Sequence, residues 1–147
     1  MMRYRHLAGL LTILSILVVV LAACGGRSTT TTTSSGSREV QVTLSEYKIT
    51  SSVTTFYPGT SYHFVVTNKG QVAHEFMIMP MGMNVGGMSM DEMHKIALHM
   101  IDNVAPGETK TFDYTFAASM MGQDFEFACH LPGHYEAGMH LPMLVNQ

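Results

Sequence analysis

Residues 124–139 read DFEFACHLPGHYEAGM. In the first six, Phe125, Phe127 and Cys129 alternate with Asp124, Glu126 and Ala128, which is the period of a strand with one buried face. Such a strand delivers the Cys129 thiol to its inner end. Four residues then separate Cys129 from His134, and four more separate His134 from Met139. Pro132, Gly133 and Gly138 lie in those gaps, where they break the strand and bend the chain back towards the thiol.

Working outward from this stretch, alternation continues through most of the chain. Val40, Val42 and Leu44 oppose Gln41, Thr43 and Ser45, and Tyr47 and Ile49 are expected to carry the pattern on. Tyr57-Pro58-Gly59-Thr60 reads as a turn before the strand SYHFVVTN, which stops at Lys69-Gly70. VAHEFMIM follows, with His74, Phe76 and Ile78 on one face. Ala105-Pro106-Gly107-Glu108 is another turn, KTFDYTF puts Phe112, Tyr114 and Phe116 on one side, and a short strand MLV closes the chain. Several short strands separated by turns predict an all-β sandwich. One segment departs from the pattern. Ser89-Met90-Asp91-Glu92 has the form of a capping box, and Met93, Ile96, Ala97, Met100 and Ile101 follow helical spacing. A helix of about three turns, inserted between strands and docked on the sandwich, is therefore expected.

The N-terminus sets the compartment. MMRYRHLAGLLTILSILVVVLAAC has a basic start and an apolar run that is short for a bilayer span and carries Thr12 and Ser15, so residues 1–23 read as an export signal. The run ends in Leu21-Ala22-Ala23-Cys24, which resembles the bacterial lipobox, in which the cysteine is acylated. An uncleaved anchor is the alternative, and both readings put the rest of the chain outside the cytoplasm. Residues 24–38, rich in Ser and Thr, read as a disordered tether and residues 39–147 as one folded domain. With lipid on Cys24, Cys129 has no disulfide partner, and a lone thiol in an oxidising compartment needs burial or an occupation. Without Arg3 and Arg5, six basic and eleven acidic side chains remain. That mild acidity offers no basic run for nucleic acid.

Cys129, His134, Met139 and the inward-facing His74 form a set of two imidazoles, a thiolate and a thioether. Thioethers suit copper better than zinc, and a trigonal His-His-Cys site with a weak axial Met is an electron-transfer geometry. The residues Val66-Thr67-Asn68-Lys69-Gly70, His74-Glu75-Phe76 and Cys129 through Met139 resemble the blue-copper (cupredoxin) family over about residues 40–147. The ligand-loop spacing is similar to that of auracyanin and rusticyanin. The resemblance implies a Greek-key sandwich holding one type 1 copper per chain, with His74, Cys129 and His134 equatorial and Met139 axial. It also implies an exit for electrons through the C-terminal histidine, with Leu131, Pro132, Leu141 and Pro142 as a candidate apolar patch. One departure stands out: Glu75 occupies the place where many members carry Asn or Asp, whose side chain ties two loops together.

These readings predict an electron carrier, lipid-anchored to the bacterial cell membrane through Cys24 and exchanging single electrons with extracytoplasmic redox proteins. The alternative is a copper-handling protein. Eight methionines lie between positions 77 and 100, and Met81, Met83 and Met88 sit in a Gly-rich segment whose thioethers form a candidate second site for copper(I). No turnover chemistry is expected. A Cys129–His134 nucleophile and base would leave His74 and Met139 without a purpose and would lack a third, orienting group.

Overall fold

The computed structural model describes residues 36–83, Val85 and residues 87–147, all within the compact unit Thr33–Gln147. The export signal, Cys24 and most of the expected tether lie outside the described residues. Among the described residues, nine strands form two sheets. β1 (Arg38–Ser45), β2 (Lys48–Ser51), β4 (Ser61–Asn68) and β7 (Thr109–Thr115) make one, in the order β2-β1-β4-β7. β3 (Thr55–Phe56), β5 (His74–Pro80), β6 (His99–Val104), β8 (Asp124–Ala128) and β9 (His140–Val145) make the other, in the order β3-β9-β8-β5-β6. The β1–β4 and β3–β9 pairs are parallel and the remainder antiparallel.

Alternating residues of the two sheets meet in a core of Val40, Val42, Leu44, Phe64, Val66, Phe76, Ile78, Phe125, Phe127 and Cys129, all buried. The predicted parities of β1, β5 and β8 are those observed. Phe56 anchors one part of the core, with its ring centroid 4.9 Å from that of Tyr62 and 4.8 Å from that of Phe116. Such aromatic contacts add about 0.5–1.5 kcal/mol each beyond simple burial.

Three expectations are corrected. Tyr47 does not continue the first strand: it sits at φ 57 in the turn between β1 and β2 and is exposed. The last strand is longer than MLV, running from His140 to Val145. The helix α1 spans only Met90–Ile96. Its capping box is present as predicted, with Ser89 accepting from the Glu92 N–H and the Glu92 side chain accepting from the Ser89 N–H. The helix stops because β5 offers backbone partners that must be met. Leu98 N–H donates to Ile78 O at 2.8 Å, and His99–Val104 then pairs with β5. Met100 and Ile101, read as a helical stripe, lie on opposite sides of that sheet. Ile101 packs on the main core, whereas Met100 packs on a separate cluster of Met77, Met79 and Met93. This second cluster lies beneath α1 and the Met-rich segment, so His74 through Met79 of β5 are buried on both faces.

Candidate metal centre

β1 and β4 end, β8 ends, and β5 and β9 begin, at one end of the sandwich. There the chain gathers the side chains of His74, Cys129 and His134. Their candidate donor atoms all lie within 4.8 Å of one another. His74 Nδ1 is 3.3 Å from His134 Nδ1, which in turn is 3.4 Å from Cys129 Sγ. His74, Cys129 and Met139 are fully buried, while His134 is half-buried and reaches the surface. Tyr47 meets the half-buried His134 ring edge-on, with the centroids 5.6 Å apart.

The loop from Cys129 to Met139 holds its shape through its own backbone. His134 N–H donates to Leu131 O at 2.9 Å, and Gly138 N–H to Tyr135 O at 2.9 Å. Gly133 and Gly138 take φ 81 and φ 99, which glycine adopts without a steric cost. Met139 closes the loop: its N–H donates to His134 O at 3.0 Å and its carbonyl accepts from Cys129 N–H at 3.1 Å. These backbone contacts bring Met139 into register with both residues.

Three lone-pair atoms turned towards one point suit a cation. The chemistry of the set is soft enough for copper, and a closed zinc site would favour further Cys or His. Burial pushes the Cys129 thiol up, although the N–H groups of Glu75 and Leu131 pull the other way. Burial also lowers His74, reinforced by the His134 ring. A bound cation would favour the thiolate that burial alone opposes. The buried His74 Nε2 has no hydrogen-bond partner among the described residues.

A surrounding set of polar residues positions these groups. The Glu75 side chain, longer than the Asn or Asp of the resemblance, still ties the loops: its Oε1 accepts from the His130 N–H at 2.7 Å. Burial raises the Glu75 carboxyl, while that hydrogen bond lowers it. At this point the β5–β6 register slips. Asp102 and Asn103 together oppose Glu75, with Asn103 at φ 47, a bulge of the kind that re-aims side chains next to sites. Buried Asn68 donates to Val72 O and Val104 O, both at 2.8 Å, and accepts from Gly70 N–H at 2.8 Å. Glu46, from the β1–β2 turn, accepts from the N–H groups of Gln71 and Val72. These contacts shape the segment that leads into His74. Sequence reasoning noted the Asn68-Lys69-Gly70 turn but missed Glu46, for which no local pattern gives a signal.

Of the other expected residues, Met81 and Met83 are exposed, whereas Met88 packs on the outer methionine cluster. Leu131 and Leu141 pack partly buried against the core, and Pro132 and Pro142 are exposed. Cys24 lies outside the described residues. Among those described, no helix is long and apolar enough to cross a membrane.

No family model matches the chain. Among curated proteins it is similar to the copper-resistant cuproprotein CopI of Vibrio cholerae, 37% identical over 111 residues that cover 70% of this chain and 62% of the relative. The CopI of Rubrivivax gelatinosus is 28% identical, with coverage of 69% and 62%. The chain thus spans about three-fifths of the length of these relatives. Among solved structures, dithionite-reduced auracyanin from Roseiflexus castenholzii aligns over 76% of this chain and all of its own, with a TM-score of 0.58 and 19% identity. An azurin from Methylomonas sp. strain J aligns over the same shares with a TM-score of 0.59 and 16% identity. Two packed sheets with one short helix thus have their counterpart among solved structures, and the fold of this chain is that of the cupredoxins.

Proposed function

We propose that this protein binds one type 1 copper ion between His74, Cys129 and His134, with Met139 as a weak axial ligand, and passes single electrons between extracytoplasmic redox proteins. The observation that carries this reading is the convergence of two imidazole nitrogens and one thiol on a single buried point. When bound, copper supplies a one-electron couple, and thiolate and thioether donors favour its reduced form. The chain does the rest. The loop hydrogen bonds hold Cys129, His134 and Met139 in register, so little has to move when charge changes. Full burial of Cys129 keeps water from the sulfur, which disfavours the more highly charged ion. The potential is accordingly positive. His134, half-buried and flanked by Tyr47, gives electrons their shortest way out. No turnover chemistry belongs to this reading.

The export signal and the acylated Cys24 would tether the domain to the outer face of the cell membrane, and a Ser/Thr leash permits repeated docking over a short radius. Absorption and EPR spectra of the copper-loaded protein test the centre. An intense thiolate-to-copper band is expected and is abolished by His74→Ala or Cys129→Ser. A colourless copper(II) form of the wild type would refute the assignment.

A second reading, copper handling in tolerance, is favoured by the relatives' description as copper-resistant cuproproteins and by the methionine cluster beside the centre. Deleting the gene and measuring growth against copper separates the two. Copper sensitivity without a respiratory defect supports handling, and the reverse supports the carrier.

A further inference from the structure

Beside the candidate centre, on the other face of the same sheet, Met88, Met93 and His130 line one cavity of about 180 Å³ together with Val85, Tyr135 and Glu136. His130 is fixed at both ends. Its N–H is held by Glu75 at 2.7 Å. Its ring stacks on Tyr135 with centroids 4.5 Å apart and planes 16° from parallel. Tyr135 is held in turn by its hydroxyl, which donates to the buried Glu126 at 2.8 Å. Yet His130 Nε2 is buried with no hydrogen-bond partner among the described residues. An imidazole pinned so firmly with a nitrogen left over is costly unless something meets that nitrogen.

We propose that this cavity is a second metal site, in which the Met88 and Met93 thioethers and His130 Nε2 bind one copper(I) ion. Two thioethers exclude the hard cations, which take oxygen ligands, and one imidazole is too few for a closed zinc site. Copper(I) accepts three soft donors without a strict geometry, and Met adapts its rotamers to it. Met93 is presented by α1, whose capping box fixes the start of the helix. Met88 lies just before the Ser89 cap. His130 follows Cys129 directly, so the two sites share one peptide link and face opposite sides of the sheet. The site deepens the copper-handling reading and rests on it for its use, but not for its existence. Met81 and Met83, which are exposed, have no part in it.

The test uses the full folded chain already carrying one copper(I), to which silver(I) is added as a diamagnetic probe of soft-metal sites while methionine methyl resonances are followed. One further equivalent should bind and shift the Met88 and Met93 methyls, leaving Met81 and Met83 in place. No binding, or shifts confined to Met81 and Met83, would overturn the proposal. The double variant Met88→Leu/Met93→Leu, which conserves volume, should lose the second ion while its first centre, loaded separately with copper(II), keeps the wild-type colour, which also reports that the fold is intact. Retention of both ions by that variant would equally overturn it. Loss of copper tolerance in cells is a separate measurement, so the site and the handling role can fail independently.

Discussion

At Gly70 an added methyl group would lie 2.6 Å from Glu46 Oε1, 3.0 Å from His74 Nε2 and 3.1 Å from Asn68 Oδ1. Three polar groups of three different segments thus meet where only a hydrogen atom fits. Gly70→Ala is expected to destabilise the protein by about 1–3 kcal/mol, as overpacking does, and to weaken metal binding by displacing His74. Urea unfolding and a competitive copper titration measure the two effects. Glu75 makes a complementary case. Glu75→Ala leaves the part-buried His130 N–H without its acceptor and should cost about 1–3 kcal/mol in the metal-free protein. Glu75→Gln keeps an acceptor oxygen and should retain most of the stability. Equal losses in both variants would show that charge, rather than the loop tie, matters here.

Among the elements, β6 was the least legible from sequence. Met100 and Ile101 fit a helical stripe as well as they fit a strand between two apolar layers, and only the unmet backbone of β5 decides between them. The strands with one apolar face, β1, β4, β7 and β8, were legible because a period of two has one structural meaning when half of it is polar. The loop from Cys129 to Met139 was legible for a related reason: its hydrogen bonds are local, so spacing carries its geometry. Glu46 and Asn68 reach across tens of residues, and no window of sequence displays such contacts. β6 also carries a measurable consequence. His99 stacks on Phe112 at 3.7 Å, and burial lowers its basicity below the ordinary 6.5. The unfolded chain therefore takes up a proton at this residue before the folded one does, and stability falls as pH drops below 6.5. His99→Phe should flatten part of that slope in the metal-free protein, as measured by urea midpoints across the range. An unchanged slope would place the proton uptake elsewhere.

For the whole molecule, the site ties β5, β8, β9 and the β1–β2 turn together at one end, so a bound ion should stabilise the entire sandwich rather than one loop. With free copper at a hundredfold excess over its dissociation constant, the gain is about 2.7 kcal/mol. Removing the metal with a chelator should lower the thermal midpoint cooperatively, with near- and far-ultraviolet signals falling together. A local change confined to residues 129–139 would mean that the loop closes independently of the sheets.

The strand β8 acts as a partition. Phe125, Phe127 and Cys129 look into the main core, while Glu126 and His130 look out, towards Tyr135 and the methionines. Since successive side chains change sides, a single inserted or deleted residue in this strand would swap the occupants of the two chambers, putting an imidazole where the thiol belongs and a thiol among the thioethers. The turns beyond it can lengthen or shorten and still deliver a ligand, but the six positions ending in Cys129 have no such latitude. Drift in this family of sequences should therefore accumulate as insertions in the loops and never as a frame change in that one strand.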